Sequence, residues 1–408
     1  MTTGQTSVAS PTQGTGRAGW HRRAGVLPLA YLGTLVVVAF VHPLLPTWRW
    51  LAIHVLLLGA ASNAILVWSA HFTAAVLRIA APAGRRAEAA RLTVLNAGIV
   101  AVLVGGATDT PASVVAGAVA VFAAVAAHLA WLAARLRSSL PGRFAVTVHY
   151  YLAAAVALLT GVPVGAWTFV VDGPARSRLV LFHAHVNLLG WVMLTVLGTV
   201  LTLWPTVLRT RIADRATAAA RRALPVAGTG LALLAVGLLA WWPVVAAGGL
   251  GVFAIAVLGV VAPCVSVARR KPPASFAAWS MAAATGWLLV ALALDAATLL
   301  TATHPDAAVD RFGVVLVPLL VGFVAQILVG ALAYLLPVAL GGGPTAVRRR
   351  MAALDRHWPQ RVVTANAALA VHLLPVGSYV RITTSLLVLG TLVQFLLPAF
   401  RVLLTRRY

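Results

Sequence analysis

Residues 182–205 read FHAHVNLLGWVMLTVLGTVLTLWP, an apolar run long enough to cross a bilayer, and His183, His185 and Asn187 sit in its first turns. His54 and His372 lie in other apolar runs, and so does Asp295. An ionisable group inside hydrocarbon is costly, about 2.5–3.5 kcal/mol for Asp at a helix centre, and is read first as functional. A neutral imidazole presents a nitrogen lone pair suited to iron, copper or zinc. On a helix, residues two apart point about 200° away from each other, so one metal does not easily take both His183 and His185. Each ring therefore addresses a different neighbour.

The elements that must position these rings follow from composition. The chain has 61% hydrophobic and 10% charged residues, with a mean hydropathy of +0.95, outside the range of soluble domains. Apolar stretches predict twelve membrane-spanning helices, at 25–44, 50–77, 92–108, 113–134, 145–170, 179–206, 223–241, 244–267, 275–301, 313–340, 361–376 and 382–403. The net charge of +23 invites a nucleic-acid reading, but its distribution argues otherwise. Arginines fill alternate connections: the N-terminus (Arg17, Arg22, Arg23), 78–91, 135–143, 209–222, 269–271, 348–361 and the tail Arg406–Arg407. That alternation is the positive-inside pattern of a bacterial-type plasma membrane protein and predicts both termini in the cytoplasm. The basic loops then face anionic lipid, and no nucleic acid is expected. Residues 1–24, rich in Gly, Ser and Thr, read as a disordered cytoplasmic tail, and 25–408 as one transmembrane domain. Cys264 is the sole cysteine, which excludes a thiolate cluster.

The chain also repeats itself. HVLLLGA (54–60) matches HVNLLGW (185–191), and LLVGFVAQILVGALAYLLPVAL (319–340) matches NLLGWVMLTVLGTVLTLWPTVL (187–208). Gly59, Gly190 and Gly322 are thereby spaced 131 and 132 residues apart, and Gly198 and Pro205 recur as Gly330 and Pro337. A period of about four spans keeps every copy in the same orientation, so the copies are related by rotation about the membrane normal. A transporter built of two six-helix halves does not have this period.

Twelve spans in three four-helix arcs, with an H-x-H helix start, resemble subunit I of the haem–copper oxidases and the NnrS-type membrane proteins. The resemblance covers residues 25–404 in architecture and a few short motifs in sequence. It implies an all-α fold and haem b, with copper as the other candidate, held near the outer face by His54 and by His185 or His183. His372 is a further candidate metal ligand at similar depth. In the oxidases the second histidine of the pair joins the second helix's ligand, which favours His185, whereas rotation between copies favours His183; His185 is the expected partner of His54. Asn187 and Asp295 are candidates to orient these ligands. The oxygen-reducing centre is missing, because the positions of the tenth helix that match His183 and His185 are Val315 and Val317. The single glutamate, Glu88, lies in a loop, so carboxylate-lined proton paths lack candidates too.

The expected function is electron transfer or the handling of a small ligand such as nitric oxide, without oxygen reductase activity. Two other classes stay open: a metal-ion or small-solute transporter whose entry is lined by the same histidines, and a membrane anchor for an extracytoplasmic copper protein. His71, His128 and His149 lie at the other end, beside Trp68, Trp131, Tyr150 and Tyr151. They read as interface residues, although a quinone head group would also suit them.

Overall fold

The computed structural model describes residues 11–79, 84–140 and 142–405. The described residues form helices and no strand, as hydrocarbon demands, because each unpaired backbone amide in lipid costs several kcal/mol. Ten helices follow one another: α1 (Pro11–Val41), α2 (Trp48–Val76), α3 (Arg86–Ala107), α4 (Pro111–Arg137), α5 (Val146–Trp167), α6 (Gly173–Val207), α7 (Ala216–Ala240), α8 (Pro243–Arg270), α9 (Phe276–Thr301) and α10 (Pro305–Leu340). Three more complete the chain: α11 (Gly343–Leu354), α12 (Trp358–His372) and α13 (Ser378–Leu404). Eleven of the described helices, all but α11 and α12, are long and apolar enough to cross a membrane. The chain is a multi-pass membrane protein.

Two stretches stand apart from the expected spans. The stretch 361–376 yields a helix of only 15 residues, roughly 22 Å long at 1.5 Å per residue and short of a full crossing. Arg361, Thr364 and Asn366 interrupt its apolar character, and Pro375 and Gly377 follow its end. Of the expected tail 1–24, residues 1–10 lie outside the described residues, as does Arg406–Arg407, and α1 begins at Pro11. Its early turns are held by packing, since Trp20 and His21 are buried and the His21 ring stacks on Trp68 of α2 at 5.2 Å.

The helices α2, α6 and α10 are the most buried and form the centre, while sequence neighbours pack around them and α13 returns to α1. Each central helix contains a π-helical segment: Val55–Ala61, Val186–Met193 and Val317–Ala325. They start at residues 55, 186 and 317, at equal intervals of 131. Each carries a glycine that lets the preceding span approach: a Cβ at Gly59 would collide with Tyr31, at Gly190 with Ala157 and at Gly322 with Trp287. The Gly341–Gly343 run ends α10 with three positive φ angles, a conformation that excludes most side chains, and turns the chain into α11.

Candidate metal centre

His54 and His185 close the last α-helical turn before the π segments of α2 and α6, and His183 lies one turn-fraction earlier on α6. His54 and His183 come together, with ring centres 6.3 Å apart and planes inclined by 24°. Their hydrogen bonds define their chemistry. His54 Nδ1 donates to the carbonyl of Trp50 at 2.8 Å, and His183 Nδ1 donates to the carbonyl of Gly161 at 2.9 Å. A carbonyl oxygen has no proton to give, so Nδ1 carries the hydrogen in both rings and Nε2 of the neutral ring keeps its lone pair.

The surroundings hold the pair in place. Trp50 stacks on His54 with centres 4.0 Å apart. On the other side α5 comes close because residues 161 and 165 are glycines: a Cβ at Gly161 would collide with Asn187 and one at Gly165 with the His183 ring. Asn187 Nδ2 lies 3.2 Å from His183 Nδ1 and 3.4 Å from its Nε2, and its own Oδ1 is buried with no hydrogen-bond partner. Asn187 thus lies against the His183 ring.

His185 points elsewhere, as two positions along a helix require. Its Nδ1 donates to the carbonyl of Leu181 at 2.6 Å, and its Nε2 lies 2.8 Å from Asp295 Oδ2 on α9. Both groups are sealed, at 2% and 3% exposure, and Phe312 of α10 covers the ring at 4.9 Å. With one nitrogen on a carbonyl and the other on a carboxyl group, His185 offers no lone pair to a metal. The ring opposite His54 is therefore that of His183, and Asp295 serves His185 as its counter-group, with Oδ1 left unpartnered. His372 is remote in its contacts, bonding Thr384 of α13 at 3.2 Å. Among the described residues no group of three or more His, Cys, Asp or Glu is arranged to hold a metal, so the four histidines do not form one multidentate site.

Sequence reasoning missed Trp50, Gly161 and Gly165. A signal existed for the glycines, which form the small-xxx-small spacing GVPVG that brings helices close. At the other end, where His71, His128 and His149 read as interface residues, the contacts are internal. His21 and His128 are buried there: His21 Nε2 is 3.3 Å from His71 Nδ1, and Ser69 bonds His128 Nε2 at 2.9 Å. His149 bonds only the carbonyl of its own helix, at Ala145. Compared with protein-family models and with curated proteins, the chain matches none.

Proposed function

We propose that the chain is a divergent membrane protein of the haem–copper oxidase-like architecture, holding one metal centre between α2 and α6 with His54 and His183 as ligands. The observation that carries this reading is the juxtaposition of two half-buried imidazoles, each with Nδ1 donating to a backbone carbonyl so that Nε2 is the nitrogen able to meet a metal. The equal spacing of the π segments and the matching glycine contacts support three pseudo-equivalent four-helix arcs, with the short α12 in the place of a twelfth span. Gly198 lies against the Thr147 carbonyl as Gly330 lies against that of Ala277, which extends the match to the span before. The arginine-rich loops support a plasma membrane orientation with both termini in the cytoplasm.

His54 and His183 would hold haem b, which would supply one-electron transfer there. The protein's share is to fix ring orientation through the Trp50 and Gly161 carbonyls and to shield the ligands from water with Trp50 and α5. A bare copper ion is the second reading, favoured by the crowding from Trp50, Gly161 and Gly165; its open positions would suit a small ligand such as nitric oxide. An electron donor from the membrane quinone pool, or an extracytoplasmic copper protein as partner, is compatible with either.

Purified protein should show a bis-imidazole haem spectrum that sharpens on reduction with dithionite, or copper at one ion per chain by elemental analysis. Protein with neither defeats the proposal. Solute uptake into proteoliposomes by such metal-free protein would install the transporter reading instead.

A further inference from the structure

The three central helices do not close on one another along their whole length. Past the ends of the π segments a cavity of about 90 Å³ opens between α2, α6 and α10. Its first wall residues, Ala61, Val192 and Val324, are in the last turn of each π segment. The extra residue per π turn shifts the helix that follows, and small side chains at Ala61, Ala64 and Ala331 leave the resulting space unfilled.

The volume would admit water, but the wall gives water nothing to bond. Ser69 is bonded to His128 Nε2 at 2.9 Å. Thr195 donates to the Trp191 carbonyl at 2.8 Å, and Thr199 donates to the Thr195 carbonyl at 2.7 Å while also meeting the Tyr151 hydroxyl at 2.9 Å. The Trp68 indole is the one other polar group on the wall, and a buried water needs two to four partners. A cavity with that lining stays dry. Apolar cavities of about 150 Å³ take up benzene or xenon, so a smaller one selects molecules of very few atoms.

We propose that this axial cavity is a binding site for a small apolar molecule of diatomic-gas size. The site is set by the central helices with Met281 of α9 and does not depend on the metal centre. Its wall on α2 runs from Ala61 to Phe72, about 10–27 Å along the helix from His54 at 1.5 Å per residue.

The test uses xenon as the probe. Crystals of the full chain under xenon pressure should show one strong anomalous peak between α2, α6 and α10. Ala64→Leu and Ala331→Leu, which fill the space from different helices, should each abolish that peak while leaving metal content at the wild-type level. No peak in the wild type, a peak that survives both substitutions, or an acyl chain or ordered water in the cavity would overturn the proposal. Because metal content is read separately, failure here is distinguishable from failure of the metal centre.

Discussion

Two histidines two residues apart on α6 have opposite chemical fates. His183 faces α2 and α5, donates one proton to a carbonyl and keeps a nitrogen open beside His54. His185 faces α9 and α10, and its second nitrogen is engaged by Asp295. The first pair is the candidate site, and the second is a closed contact between two sealed groups. Residue type therefore does not decide function here; the element across the interface does. Where α5 supplies glycines, the imidazole stays available, and where α9 supplies a carboxyl group, it is consumed as structural glue.

The comparison can be broken most severely at the closed pair. Asp295→Ala strips a sealed imidazole of its partner, and loss of one member of a buried pair costs about 3–5 kcal/mol. Thermal unfolding in detergent should show a large drop, whereas the metal bound per folded chain should be unchanged. If Asp295→Ala instead removes the metal, the two pairs are not separate.

The open pair is disturbed from behind by Gly165→Val. The new side chain meets the His183 ring, and overpacking of this kind costs about 1–3 kcal/mol. Metal affinity should fall together with stability, and a variant that keeps both would show that α5 does not hold the ring. Asn187→Ala sharpens the contrast with the least damage. Loss of a group that orients a ligand lowers metal affinity 10–100-fold, and the long contacts of 3.2 and 3.4 Å to the His183 ring point to the lower end, about 1.4 kcal/mol. Competition with a chelator measures it, and stability in the metal-free state should move little.

Much of this scaffold could be read from residue order. The glycines at 59, 190 and 322 mark the three central helices and the period of their π segments. The divergence of His183 and His185 follows from helix geometry alone. The partner of each ring was not legible, because Gly161 and Asp295 lie 22 and 110 residues from the rings they bond and nothing local encodes that meeting. The rule that equivalent positions in a rotated repeat face successive interfaces pointed to His183, and the oxidase pattern pointed to His185. The geometric rule matches the observed contact. The early start of α1 was hidden for a related reason: its glycines and arginines look like a tail until Trp20 and His21 find Trp68 and His71 on the neighbouring helix.

The most direct measurement compares metal and haem content in His54→Ala, His183→Ala and His185→Ala, purified side by side from the membrane with the wild type. The account predicts that the first two lose the bound centre and that His185→Ala retains it in whatever fraction folds. Retention in His183→Ala with loss in His185→Ala would contradict it.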